Sequence, residues 1–410
     1  MKQGHLAIVV FFLMTACKQP VETPAEQIPQ IQEIGLPVSG NSHLGRLKAT
    51  EEALYFSWVQ SSDKVDTLFY SSFKEGKWQE PIYVAHSTDW FVNWADFPAI
   101  AANGDKVLSN VLAKSDTGTY TYDIRLNLLD KDAISKLDFI LHTDGTKSEH
   151  GFVSLLPWKE GFFATWLDGR NTAGGHGGHD GHSTAGAMTL RGAFIGPEGH
   201  IIGDTELDAR ICDCCQTAAA LFPDGLLVAY RDRTEEEIRD ISVVKYTTEE
   251  GWSSPMAVSG DNWEIAGCPV NGPSLSSLDK QVALAWFTAA AGEGKVNLKI
   301  SKDGAETFGP AIRLDGGFAT GRVDVEWLDS NRLAVLWMEP LEEMDGLVLK
   351  ILNTEGEVLE HHIMATIDAS RASGFPQLER LGTDLYISWT DVGAEGIGAK
   401  IRMKRLAITP

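Results

Sequence analysis

The chain has 410 residues, with 35 basic and 57 acidic side chains and a formal charge of −22. Charged residues make up 22% and hydrophobic ones 43%, enough apolar side chain to build a core, which excludes a disordered acidic tail protein. A surface this acidic also argues against nucleic acid as a partner and against electrostatic adhesion to anionic lipid.

Lys2 and His5 precede an apolar run from Leu6 to Met14, followed by Thr15, Ala16 and Cys17. A basic start, a short apolar core and small residues before the cut describe a secretory signal peptide, and the run is too short to span a bilayer. Leu13-Met14-Thr15-Ala16-Cys17 resembles the bacterial lipobox, with Met14 where Leu is more usual. That resemblance implies a signal peptide of residues 1–16 and lipid on Cys17; an ordinary signal peptide with an accidental cysteine is the alternative. Residues 17–31 are polar and Pro-rich, which suits a flexible tether. The expected product is an exported lipoprotein, tied to a lipid bilayer through Cys17, on the periplasmic or cell-surface face of a bacterial envelope.

Residues 32–410 read as one domain built on a repeat. A short apolar strand ending mostly in an aromatic residue recurs, closing at Trp58, Val111, Trp166, Tyr230, Trp286, Trp337 and Trp389, at intervals of 51 to 64 residues. Each copy is preceded by a strand of small residues with Gly or Pro, and followed by an alternating strand, a turn and one more strand. That is half-buried antiparallel patterning, and helical periodicity is hard to find. Seven copies at this spacing predict an all-β fold, a β-propeller of seven four-stranded blades. Two β-sandwiches would be the alternative architecture. The seventh unit lacks an outer strand, and Gln32–Val38 is a spare extended segment before the first unit. The N-terminal segment is therefore expected to complete the last blade and tie the ring.

The longest interval carries Gly175-His176-Gly-Gly-His179-Asp-Gly-His182, a Gly-rich insertion with three imidazoles. After it come Cys212, Cys214 and Cys215 ahead of the fourth inner strand, and Cys268 ahead of the fifth. Neighbouring inner strands lie side by side, so Cys268 is expected near the other three. Thiolate and imidazole in short tracts suit copper or zinc. Export into an oxidising space favours disulfides instead, although three cysteines in four residues pair awkwardly. A redox thiol, and a solvated loop that grips nothing, complete the alternatives.

Ser301-Lys-Asp303-Gly304-Ala305-Glu-Thr307-Phe308 resembles the Asp-box of sialidases and related propellers, with Ala305 and Phe308 replacing Gly and Trp. Remnants occur at Gly76-Lys-Trp78 and Gly251-Trp252. The motif braces a hairpin through side-chain bonds to backbone, so it speaks for fold. The resemblance implies an exo-sialidase type of glycoside hydrolase with six blades, three arginines around a substrate carboxylate, a Tyr nucleophile assisted by Glu, and an Asp acid/base. Arg46, Arg322 and Arg371 stand where inner strands begin, and Arg231 follows the fourth aromatic strand. Asp232 and Glu339 end or follow aromatic strands at the same mouth, as do Asp168 and Asp391. The family's Phe-Arg-Ile-Pro signature is absent, with His43-Leu-Gly-Arg46 roughly in its place, and spacing identifies no Tyr/Glu pair.

Two functions compete at this stage. One is a membrane-anchored, sialidase-like lipoprotein binding or hydrolysing an acidic glycan at an Arg-rich channel mouth, through Arg46, Arg231, Arg322, Arg371, Asp232 and Glu339. The other is an exported copper- or zinc-binding or protein-interaction propeller, using His176, His179, His182, Cys212, Cys214, Cys215 and Cys268. A plain scaffold is the third reading.

Overall fold

The computed structural model describes Met1 and residues 31–131, 135–172, 186–342, 344–393 and 399–408. Seven antiparallel sheets form seven blades. Their inner strands are Ser42–Ala49, Ile100–Asn103, His150–Trp158, Ala218–Phe222, Ser274–Leu278, Gly321–Trp327 and Gln377–Leu381, for blades 1 to 7. In blades 1 and 4 the outer strand is split, so Lys77–Trp78 and Ile82–Ser87 share one partner, as do Gly251–Trp252 and Met256–Ala257.

The second strand of each blade explains the repeat seen in the sequence. Gly161–Asp168 and Gly225–Arg231 are buried along their whole length. A strand covered by a neighbouring blade on both faces has no solvent side, so it reads as a continuous apolar run. The outer strands keep a wet face, as in Val358–Ile367, where exposed and buried positions mix.

Seven hydrophobic clusters lie among the described residues, and each one spans two adjacent blades. The cluster between blades 1 and 7 joins Leu54, Phe56 and Trp58 to Tyr386, Ile401 and Met403, which closes the circle. Trp58, Trp166, Trp286 and Trp337 are fully buried in these inter-blade cores.

The N-terminal strand Ile31–Glu33 pairs antiparallel with Lys400–Ala407 as the fourth strand of blade 7, with Ile31 opposite Leu406. The ladder is shorter than the expected 32–38 segment. After Ile34, whose N–H donates to the Met403 carbonyl at 3.0 Å, the chain crosses over and packs Ile34, Leu36 and Val38 against the blade 1–7 core.

The hairpin at Ser301–Phe308 is braced by its side chains. Ser301 Oγ donates to Asp303 at 2.7 Å and accepts from Ala305 N at 2.9 Å, and Asp303 accepts from Thr307 N at 3.0 Å. Ala305 holds φ +63°, a conformation glycine adopts more readily. Its methyl is buried in the blade 4–5 core, which offsets part of that strain.

Candidate functional site

All seven inner strands line one axial cavity of about 130 Å³. The segments arriving from the preceding blade open onto its mouth. Three inner strands start with a register shift, between His43 and Arg46, Gly151 and Ser154, and Gly321 and Asp324. Each shift contains a residue with φ +55°: Leu44, Phe152 and Arg322. Such bulges twist the strand and re-aim the side chains around them.

Arg46 stands just after the first bulge and lines the cavity. Its guanidinium lies 4.1 Å from the Phe97 ring centre and makes no hydrogen bond or ion pair among the described residues. Burial pulls its pKa down to about 10, against the opposing pull of Asp324 and Glu379. Deeper in, Lys48 pairs with Glu379 at 2.7 Å, Ser274 Oγ donates to Asp324 at 2.7 Å, and Ser276 Oγ donates to Glu326 at 3.0 Å. Burial, reinforced by Glu379, pushes the Glu326 carboxyl up to about 8.

Beside Arg46, the neighbour of Phe97 takes part in a shared-proton group. Tyr122 hydroxyl lies 2.6 Å from Glu149 Oε1 and 3.2 Å from Asp96 Oδ2. A phenol has one proton to give, so both contacts are hydrogen bonds only if one carboxyl carries a proton and donates it back. Burial raises both acids, Asp96 to about 7 and Glu149 to about 8. The lowering bonds from Phe152 N and Tyr122 to Asp96, and from Tyr122 to Glu149, do not offset it. Asp96 faces the cavity, whereas Tyr122 is fully buried, its ring stacked on Phe91 at 4.4 Å. Asp96 also accepts from Phe152 N at 2.7 Å, a bond that the bulge at Phe152 makes possible. Gly151 leaves the space for it, since a Cβ there would sit 1.9 Å from Asp96 Oδ2.

The other candidate arginines have different places. Arg231 is fully buried and gives its donors to the carbonyls of Asn271, Arg239 and Phe287, so it straps blade 4 to blade 5. Arg322 likewise donates to Ser373 Oγ and to the carbonyls of Gly374, Ala369 and Ser370, strapping blade 6 to blade 7. Burial pulls the Arg322 pKa down to about 10. At both of these positions the guanidinium donors are taken by backbone and hydroxyl oxygen. Arg371 is exposed and lies 5.9 Å from the ring centre of Trp94, which stacks on Phe375 at 5.7 Å. Asp232 accepts from Ser242 Oγ at 2.9 Å, and Glu339 accepts from Trp337 Nε1 at 2.9 Å and Gly316 N at 3.0 Å. These two acids therefore serve local hydrogen bonds.

Cys212, Cys214, Cys215 and Cys268 are unlinked thiols, so none of the expected disulfides forms among them in this structure. Cys212 and Cys215 are buried, Cys214 is half-buried and Cys268 is exposed. Cys212 Sγ lies 3.9 Å from Cys214 Sγ and 3.6 Å from Cys215 Sγ. Arg239 Nη1 donates to Cys212 Sγ at 3.2 Å. Burial alone would raise the Cys212 thiol; hydrogen bonds from Cys214 and Cys215 and the charges of Arg239 and Arg231 outweigh it and bring it well below the ordinary thiol range. His176, His179, His182 and Cys17 lie outside the described residues.

A second polar knot, not anticipated from sequence, fills the junction of blades 2 and 3. The rings of His142 and His150 stack at 3.7 Å, and Asp144 lies 2.8 Å from His142 Nδ1 and 3.2 Å from His150 Nε2. Arg170 reaches Asp168 at 2.8 Å and Asp204 at 3.1 Å. Its guanidinium offsets part of the charge of Asp144, Asp168 and Asp204.

No family model matches this chain. No curated protein matches it either. Among solved structures it is similar to the polysaccharide lyase Uly1, with a TM-score of 0.54 and 8% identity over 88% of this chain and 89% of that one. An α-L-arabinanase of Penicillium chrysogenum, complexed with arabinobiose, aligns with a TM-score of 0.46 and 11% identity over 90% and 93% of the two chains. The chain is thus a seven-bladed propeller whose fold is similar to that of a polysaccharide lyase.

Proposed function

We propose that the protein binds and hydrolyses an acidic carbohydrate at the mouth of the axial cavity. The observation that carries this reading is that Asp96, a buried acid whose pKa is raised to about 7 and which contacts the Tyr122 hydroxyl, lines one cavity with Arg46, whose guanidinium has no hydrogen-bond partner among the described residues. Arg46 would take the substrate carboxylate through its two-pronged guanidinium. Arg371 and the Trp94–Phe375 stack would offer a charged and aromatic rim for the sugar. Asp96 would give its proton to the departing glycosidic oxygen and recover one from the attacking water. Tyr122 is sealed behind Phe91, so in this reading it and Glu149 position and reprotonate Asp96 without touching the sugar. This departs from the sialidase arrangement, in which the Tyr is the nucleophile.

The test is release of product from a fluorogenic sialoside and from uronate-containing polysaccharides. Wild type is expected to turn over one of these, Asp96→Asn to lose at least about 100-fold of the rate, and Arg46→Met to raise KM. Inertness and absence of binding by wild type on all of them would sink the proposal. We also propose export and lipid anchoring through Cys17, supported by the pattern of residues 1–17; incorporation of labelled fatty acid, absent in Cys17→Ala, tests it.

A further inference from the structure

The cysteine cluster is not used by the carbohydrate reading and carries an inference independent of it. Cys212, Cys214 and Cys215 come from one short segment, yet their three sulphurs lie within 4.8 Å of one another. Four thiolates around one ion at about 2.3 Å in a tetrahedron stand about 3.8 Å apart. The observed separations of 3.6 and 3.9 Å match that edge. They are far from the S–S bond length of about 2.05 Å. Cys268, from the next blade, lies near enough to Cys214 to perturb its thiol, outside the triangle of the other three sulphurs.

The segment is clamped at both ends. Cys212 N–H donates to the Arg231 carbonyl at 3.0 Å. Gln216 Nε2 donates to the Ala95 carbonyl at 2.6 Å, and its Oε1 accepts from Gly272 N at 3.1 Å. The sulphurs are thereby prearranged. A buried cation completes the surroundings: Arg239 donates to Cys212 Sγ at 3.2 Å and to Glu237 at 2.8 Å. Glu237 is fixed in turn by Arg233, which also reaches Asp213 at 3.1 Å. A thiolate complex of a monovalent or divalent ion carries net negative charge, and a guanidinium hydrogen-bonded to one sulphur balances part of it.

We propose that Cys212, Cys214, Cys215 and Cys268 bind a single thiophilic d¹⁰ ion, zinc(II) or copper(I). Softness of the donors selects these ions over magnesium or calcium. Binding releases the thiol protons and changes no oxidation state.

The experiment uses the full-length protein, reduced, stripped with chelator and kept anaerobic. One arm receives Zn²⁺ alone and the other Cu⁺ alone. After desalting, metal is measured by elemental analysis and free thiols by titration. One equivalent retained in either arm, with thiols protected, is expected, and the arm identifies the ion. Cys214→Ser and Cys268→Ser alter the two most accessible ligands and are expected to fold, as judged by circular dichroism, while losing most of the affinity. Arg239→Gln is expected to weaken binding about 10–100-fold. No retained ion in either arm overturns the proposal. So does retention unchanged in the Cys214→Ser, Cys268→Ser double variant, or a disulfide among the four found by mass spectrometry in folded, aerobically purified protein.

Discussion

Tyr122 and Glu149 come from adjacent blades and meet at 2.6 Å, phenol oxygen to carboxyl oxygen, with Asp96 approaching the same phenol from a third segment. The contact makes folding depend on pH. Asp96 and Glu149 have folded pKa values raised to about 7 and about 8, above the unfolded values of about 3.9 and 4.3. A raised carboxyl binds its proton more tightly when folded, so the stability it contributes is fully present below about pH 4 and is lost as pH rises through the folded value. Glu326, also raised to about 8, acts in the same direction. The melting temperature contribution of this group is therefore expected to fall between pH 5 and 9. Melting wild type and the Asp96→Asn, Glu149→Gln double variant across that range checks it, since the variant should show a flatter profile.

Gly151 is where the shared-proton group meets its steric limit. A methyl there would collide with Asp96 Oδ2 at 1.9 Å, in a wall already crossed by the Phe152 N–H bond. Gly151→Ala is expected to cost about 1–3 kcal/mol by overpacking, measured by urea unfolding. If the proposed hydrolysis holds, it should also remove turnover. A variant as stable as wild type would mean that Asp96 has room to move.

The straps separate structural arginines from available ones. Arg231→Met leaves three carbonyls without their donor, and an unsatisfied buried group costs about 1–3 kcal/mol. A loss of about 3 kcal/mol or more is expected in chemical denaturation, and Arg322→Met should behave alike. Arg371→Ala, at an exposed site, should stay within about 0.5 kcal/mol of wild type. Equal effects at Arg231 and Arg371 would contradict the assignment of straps.

Closure of the ring predicts a truncation phenotype. A chain beginning at residue 39 loses the ladder opposite Lys404–Leu406 and the packing of Ile34, Leu36 and Val38. It is expected to melt several degrees below a chain beginning at residue 18, as a whole and not in part, because the blade 1–7 core faces both terminal blades. Identical melting curves would rule out a role for the segment.

Architecture was readable because burial on both faces writes itself into composition. The second strands, such as Gly225–Arg231, had to be apolar throughout, and their spacing counted the blades. The closing strand was foreseen from the missing outer strand of blade 7, though its ladder is three residues and starts one residue earlier than expected. The site was less legible. Tyr122, Glu149 and Asp96 carry no shared motif, and they converge only because connections of different length end at one mouth. Arg231 and Arg322 looked like ligand-binding residues because a strap and a substrate arginine have the same name and the same place along the repeat. Only the orientation of their donors tells them apart. The cysteines were conspicuous in the sequence, but the partner that balances them, Arg239, lies 27 residues from Cys212 and has no signature of its own.

The joint between Ile31–Glu33 and Lys404–Leu406 gives the molecule a seam. Three residue pairs hold it, against eight in the outer ladder of blade 6. Tension on residue 31 would therefore peel this short ladder first and bare the edge of Lys400–Ala407 while six blades stay intact, so that any pull reaching the ring through its N-terminal segment is felt first at blade 7.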